Sequence, residues 1–335
     1  MATIKDVAKL AGVSIATASR VINNAPHTSE AAIVAVKEAM QSLGYRPNAN
    51  ARALVSKSSN TIGVLVNDVS APFFGTMVKA IDTVACEQGK QLLIGSGYHD
   101  ANKERNAIEL LINSRCESLV VHSKGMSDQE LVSLADEIPA MVVINRVVKG
   151  IESRCIALDN HRGSYLATEF LIRSGHKHIG YICSSHNIDD AKDRLAGYQD
   201  ALRDNGIEIR DEYIEYGEPD ETGGEQAMIS IMAKNLPITA LATYNDYMAA
   251  GCLSLLLENG IRIPEEMSLI GFDDGHVARY IYPRLTTVRY PIQVMANEAV
   301  KLSLQLANGE APERKEHKLF LPMLIRRASV GTPAK

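Results

Sequence analysis

From residue 60 onward the chain alternates two textures. Short runs rich in β-branched residues, "TIGVLV", "QLLIG" and "SLVVH", are each followed by an amphipathic segment, over residues 73–88, 102–114 and 128–136, and "MVVIN" closes the set. A second set repeats the scheme: amphipathic 161–174, "HIGYIC", then 190–205, 222–233, "ITALATY", 246–259 and "MSLIGF". Alternation of period-2 and period-3.6 segments predicts βαβ units, hence parallel sheets covered by helices. Two such sets over about 270 residues exceed one comfortable core, so the pattern predicts two α/β lobes. "LTTVRYP" and "KLFLPMLIRR" add strands around a helix over 292–306.

The first 45 residues read differently. Thr3-Ile-Lys-Asp6 is a capping-box start for a helix to about Ala11, stopped by Gly12. Ser14 caps a second helix to about Asn23. Ser29 opens a third, with Ile33, Val36, Ala39, Met40 and Leu43 on one face and Gly44 after it. The predicted organisation is a three-helix domain over 1–45, a connector over 46–58, and a two-lobed core over 59–335.

Charge gives the small domain a purpose. Through Lys57 there are seven basic and three acidic residues, a net +4, against −9 for the remainder. A basic module on an acidic body points to a polyanionic partner. Helix, glycine turn and helix is also the layout of a helix-turn-helix reader. Projected at about 100° per residue, Ile15, Ala16, Ser19, Arg20 and Asn23 share one face of the second helix, and Thr17, Ala18, Val21 and Ile22 the other. The second face is expected to pack on Val7 and Leu10. Arg20 suits guanine O6 and N7, Ile15 and Ala16 suit a thymine methyl, and Thr17, Ser19 and Asn23 suit phosphates.

Composition excludes other classes. With 46% hydrophobic and 22% charged residues, the usage is that of a globular protein. No apolar run reaches the length of a bilayer span. The N-terminus has no secretory apolar region, so a cytoplasmic location is expected. Five cysteines without a CxxC pair read as free thiols. "GSGYHD" has Asp100 where a dinucleotide loop needs its third glycine, and His176-Lys-His178 is too close for two metal ligands on one helix face. No catalytic constellation, metal site or cofactor is expected, and Asp273-Asp274 does not make a glycosidase pair.

Parallel sheets bind ligands beyond the carboxyl ends of their strands. Asn67 and Asp68, Asn145, Asn245 and Asp273 stand there, and Phe73 and Phe74 in "APFFG" offer an apolar platform. Each polar residue could equally be a helix or strand cap. Amide and carboxylate groups beside a flat apolar surface suit a sugar.

"TIKDVAKLAGVSIATASRVIN" resembles the N-terminal signature of the lactose/galactose repressor (LacI/GalR) family of bacterial transcription regulators. The likeness continues through "YRPNANARAL", "IGFDD" and "RLTTVRYP" and covers essentially the whole chain. "NANARAL", "IGSGYH", "AGYQDAL" and "YNDYMAAG" resemble the galactose-responsive branch. The resemblance implies a core like that of periplasmic sugar-binding proteins. It implies a hinge helix in the connector that lies in the DNA minor groove, with Leu54 wedged between base pairs and Asn48 and Arg52 beside it at the DNA. A helix so short needs DNA and a partner hinge to form. It also implies effector contacts at Asn145, Arg194, Asn245 and Asp273, although many relatives carry Asp where this chain has Asn145.

The expected protein is therefore a repressor acting as a homodimer on pseudo-palindromic operator DNA, released by galactose or a close relative. The chain ends at "SVGTPAK" with no leucine heptads, so no tail-mediated tetramer is expected. The alternatives are a sugar-binding protein without a regulatory role, a regulator co-repressed by a purine, and an α/β enzyme.

Overall fold

The computed structural model describes residues 2–23, 26, 28–45 and 60–333. The chain divides into two compact units, Met1–Asn60 and Thr61–Lys335. The first holds helices α1 (Ile4–Leu10), α2 (Ile15–Ile22) and α3 (Glu30–Ser42). Thr3 accepts from the Asp6 backbone N–H while Asp6 accepts from Thr3 N–H at 2.8 Å, so both halves of the capping box are made. Ser14 caps α2 by accepting from Thr17 N–H at 3.0 Å, and Ser29 caps α3 through Ala32 N–H. Gly12 turns the chain between α1 and α2 at φ +64°, a conformation that disfavours any side chain.

Val7, Ala8, Ala18, Val21, Val36 and Ala39 form the core of this unit. The expected contact with Leu10 is not made: Leu10 is 56% exposed, and Ala8 is buried in its place. Leu10 is the last residue of α1, and the chain turns away at once, which leaves its side chain beyond the packed face.

The second unit carries two six-stranded sheets. The first lobe has strands β1 (Thr61–Val66), β2 (Gln91–Ser96), β3 (Ser118–Val121), β4 (Met141–Ile144), β5 (Cys155–Leu158) and β11 (Lys318–Phe320), in the order β11-β5-β4-β3-β1-β2. The second has β6 (Ile179–Ser184), β7 (Ile214–Gly217), β8 (Ala240–Thr243), β9 (Ser268–Asp273), β10 (Thr286–Arg289) and β12 (Met323–Ile325), in the order β12-β10-β9-β8-β6-β7. All pairings are parallel except β10 with β12.

Helices α4 (Pro72–Glu87), α5 (Ala101–Asn113), α6 (Asp128–Glu137) and α12 (Ile292–Ala307) cover the first sheet. Helices α7 (Asn160–Arg173), α8 (Asp189–Asp204), α9 (Glu221–Ala233), α10 (Asp246–Glu258) and the short α11 (His276–Tyr280) belong to the second lobe. The chain crosses between lobes three times: from β5 to α7, from β10 to α12 and from β11 to β12. The last crossing splits "KLFLPMLIRR". Its two halves join different sheets, and Pro322, which has no N–H to carry a strand on, stands between them. Central strands such as β1, β3 and β4 are buried on both faces, which is why they read as unbroken apolar runs.

Among the described residues no helix is long and apolar enough to cross a membrane. Asp100, at the third-glycine position of the dinucleotide-like stretch, caps α5 by accepting from the Asn102 and Lys103 amides at 2.9 Å. His176 is spent on structure: Nδ1 pairs with Thr239 Oγ1 at 2.9 Å and Nε2 with Ser268 Oγ at 3.0 Å.

Candidate functional site

On α2 the outer face is as the periodicity placed it. Ile15, Ala16, Arg20 and Asn23 are exposed and Ser19 is half-buried, while Ala18 and Val21 go into the core. Ile15 is 48% exposed, unusual for a large aliphatic side chain in so small a unit. Thr17 is half-buried and its hydroxyl lies 2.9 Å from Ser14 Oγ, so it serves the helix start first. Asn48, Arg52 and Leu54 lie outside the described residues.

In the second unit, loops leaving the carboxyl ends of both sheets enclose a cavity of about 540 Å³ between the lobes. That size is ordinary for a small-molecule site. Asn67, Asp68, Phe73, Phe74, Asn145, Arg194, Asn245 and Asp273 all line it.

Arg194 sits in α8 with its guanidinium sandwiched: the Phe272 ring centroid is 3.7 Å away and that of Tyr244 4.4 Å. Its Nε donates to Asn160 Oδ1 at 2.9 Å and one terminal nitrogen donates to the Tyr244 carbonyl at 2.6 Å. The other stands 3.5 Å from Asp273 Oδ1, an ion pair too long to count as a good hydrogen bond. Burial pushes Asp273 up to about 7, against the pull of Arg194. Its neighbour Asp274 pairs instead with Arg327, Arg289 and Arg279, so the two carboxylates serve different places. Asn245 behaves as a cap: it accepts from Met248 N–H and donates to the Pro219 carbonyl, both at 2.8 Å. Asp68 likewise accepts from Ser70 N–H and Oγ at 2.8 Å, closing the turn before α4.

Phe73 and Phe74 meet edge to face at 5.2 Å, and Phe73 meets Tyr290 at 5.0 Å. They form a corner of ring edges and faces, not one flat platform.

Several lining residues escaped the sequence reading. His99, His122, His186, Asp190, Glu218, Tyr244 and Tyr290 all contribute to the wall. Lys124, in the loop after β3, ion-pairs with Asp190 of α8 at 2.6 Å, with side chains 2% and 8% exposed, so a buried salt bridge ties one lobe to the other. Burial pushes the Asp190 carboxyl up, but the Lys124 and Arg194 charges outweigh it and hold the group below its ordinary value. The Lys124 loop is itself anchored by buried Glu104, which accepts from Ser123 Oγ at 2.5 Å and from the Lys124, Gly125 and Met126 amides at 3.0 Å. Gly125 permits that approach, since a Cβ there would stand 2.6 Å from the Ala101 nitrogen.

Burial lowers the basicity of His122 to about 3 and of His99 to about 4, so both imidazoles are neutral. Four buried side-chain atoms among the described residues have no hydrogen-bond partner: Asn67 Oδ1, His99 Nδ1, His122 Nδ1 and Asp273 Oδ1. All four belong to residues of this one cavity wall. Buried polar groups are almost always paired with protein or water, so this cluster gives the cavity wall unused hydrogen-bonding capacity that a polar molecule can meet.

Residues 3–48 match the bacterial regulatory proteins of the lacI family, and residues 168–330 match a periplasmic binding protein-like domain. The HTH-type transcriptional regulator GalR of Escherichia coli (strain K12) is 57% identical over 334 residues, covering 100% of this chain and 97% of that protein. GalS of Salmonella typhimurium (strain LT2) is 52% identical over 331 residues, covering 99% and 97%. Among solved structures, the Lac repressor dimer bound to operator and the anti-inducer ONPF superposes with a TM-score of 0.85 at 27% identity, covering 98% of this chain and 99% of that one. The identity to these curated regulators extends over the full length of the chain. This chain belongs to the lacI family of bacterial regulatory proteins.

Proposed function

We propose that this protein is a cytoplasmic, homodimeric transcriptional repressor that leaves its operator when D-galactose, or a close relative, fills the inter-lobe cavity. The observation that carries the ligand half is the set of four unpartnered buried atoms around that cavity. Asn67 Oδ1 and Asp273 Oδ1 take hydrogens from a ligand, and acidic Asp68 and Glu218 in the wall, which no lysine or arginine among the described residues pairs, disfavour an anion. A neutral polyol satisfies both conditions. The resemblance of "NANARAL", "IGSGYH", "AGYQDAL" and "YNDYMAAG" to the galactose-responsive branch, with over half the residues shared with GalR and GalS, makes galactose the first sugar to try. No reaction is assigned to the protein.

The DNA half rests on α2. One reader helix covers one half-site, so a pseudo-palindromic operator calls for two copies. The Lac repressor neighbour is a dimer on its operator. Sugar can loosen DNA only by its differential affinity for two lobe arrangements.

Fluorescence anisotropy on DNA selected by the protein from a random pool tests both halves. D-galactose is expected to release the selected DNA. Arg20→Ala is expected to lose about 1–3 kcal/mol on that DNA and relax preference at one base pair, with random DNA little affected. Equal losses on selected and random DNA would place the recognition face elsewhere. Tighter binding with hypoxanthine and no effect of galactose would favour a purine co-repressor.

A further inference from the structure

The hydrogen bonds around Asn145 determine where the proton of His122 lies. Asn145 Oδ1 is taken by the Tyr290 hydroxyl, which must donate because an amide oxygen only accepts. Asn145 Nδ2 sends one hydrogen to Asp190 Oδ2 at 2.9 Å. That contact fixes which end of the amide is nitrogen, and the Lys124 ammonium, 2.6 Å from the other Asp190 oxygen, favours the carboxylate that accepts it. The second Nδ2 hydrogen faces His122 Nε2 at 3.3 Å. Nε2 therefore accepts, and the single proton of the neutral ring sits on Nδ1. The ring is 3% exposed and held edge-on against Phe74, with centroids 4.8 Å apart. Its Nδ1–H is a buried donor on the cavity wall that no protein group accepts.

We propose that His122 is a specificity residue of the effector site, donating from Nδ1–H to an acceptor oxygen of the sugar, and that Asn145 with Asp190 and Lys124 holds the ring in that tautomer. The proposal rests on the reading of the cavity as a sugar site. It changes the role given to Asn145 by family resemblance. Both hydrogens of its amide nitrogen are engaged by protein groups and its oxygen already accepts from Tyr290, so Asn145 keeps no donor and at most one lone pair for the ligand; it positions the ring, and His122 supplies the donor. It also gives the ligand a polarity: an acceptor oxygen must face His122, while Asn67 and Asp273 require hydroxyl hydrogens.

Two substitutions separate the ring nitrogens. Asparagine carries its amide nitrogen close to the place of Nδ1, and glutamine close to that of Nε2. Calorimetry of full-length protein with D-galactose and a set of monodeoxygalactoses reads the difference. His122→Asn is expected to bind galactose within about threefold of the unaltered protein, and His122→Gln to bind at least about tenfold more weakly, the scale of one lost buried hydrogen bond. One deoxy sugar should lose a similar factor on the unaltered protein and suffer no additional loss on His122→Gln, since the contact can be removed only once. Independently of any variant's folding, nitrogen–proton correlation spectra of histidine-labelled protein should show His122 protonated at Nδ1. Protonation at Nε2, or equal galactose affinity in His122→Gln and the unaltered protein, would overturn the proposal alone. Failure of the unaltered protein to bind galactose or any deoxy relative would overturn the sugar-site reading as well.

Discussion

Arg194→Ala is expected to abolish the response to sugar while operator binding survives. The guanidinium joins three parts of the second lobe: Asn160 of α7, the Tyr244 carbonyl after β8, and Asp273 at the end of β9. Its removal opens space between the Tyr244 and Phe272 rings and leaves the Asp273 carboxyl buried without a cation. Burial already holds that carboxyl near 7, with Arg194 the main influence opposing it. Without Arg194 the group moves further up and is protonated at neutral pH, so it ceases to be the full acceptor that a sugar hydroxyl needs. Hydrogen bonds to charged groups contribute about 1.5–3 kcal/mol each, so losing the Asp273 carboxylate as an acceptor weakens sugar binding by roughly one to two orders of magnitude. Arg194→Lys should rescue little, because an ammonium cannot reproduce the planar fork between two rings. Titration of the protein–operator complex with sugar checks this. Release by Arg194→Ala at the sugar concentration that releases the unaltered protein would remove Arg194 from the site.

The second large effect is on stability. Asp190→Ala breaks the inter-lobe ion pair and leaves the Lys124 ammonium, 2% exposed, with the Asn145 carbonyl as its remaining partner. Stranding one member of a buried pair costs about 3–5 kcal/mol, chiefly because the other charge stays out of water. Replacing both members by apolar residues is a different matter and is often close to neutral. The double variant Lys124→Met/Asp190→Leu is therefore expected to recover most of the loss, and the two single changes to be strongly non-additive. Urea unfolding followed by tyrosine fluorescence measures the unaltered protein, Asp190→Ala, the two single changes and the double variant. Additive losses, or a loss under about 1 kcal/mol for Asp190→Ala, would mean that water reaches the pair and that it contributes no more than a surface bridge does.

Much of this architecture is legible in local sequence, for identifiable reasons. Thr3, Ser14 and Ser29 announce their helices because a cap acts on the next two or three amides. β1, β3 and β4 are visible because strands buried on both faces leave no polar interruption. β5 is as short and as buried as β3 and β4, but it follows the charged Glu152–Arg154 turn directly and "CIAL" holds a single β-branched residue, so it does not stand out as a strand. β7, "IEYG", is an edge strand with one buried residue and reads as loop.

The same distinction separates the site residues. Asn67, Asn145, Asn245 and Asp273 stand at strand ends, where a rule about parallel sheets finds them. His122 also ends a recognised run, "SLVVH", and Tyr290 follows β10 in "TTVRYP". The strand-end rule applied to every strand would have included both. Lys124 with Asp190 and Asn145 with Tyr290 are another matter. These partners are 66 and 145 residues apart, on opposite sides of a lobe boundary, and no local pattern encodes their meeting.

Sugar and operator are expected to select two competing states of one molecule. Linkage makes this testable in both directions, because each ligand must weaken the other by the same factor, typically about 5–150-fold for an allosteric pair. Calorimetry should measure D-galactose affinity with and without saturating operator, and anisotropy should measure operator affinity with and without saturating galactose, in one buffer at one temperature. Equal reductions in the two affinities are the expected result. Galactose that binds with the same affinity to free and operator-bound protein, and leaves operator affinity unchanged, would contradict the account.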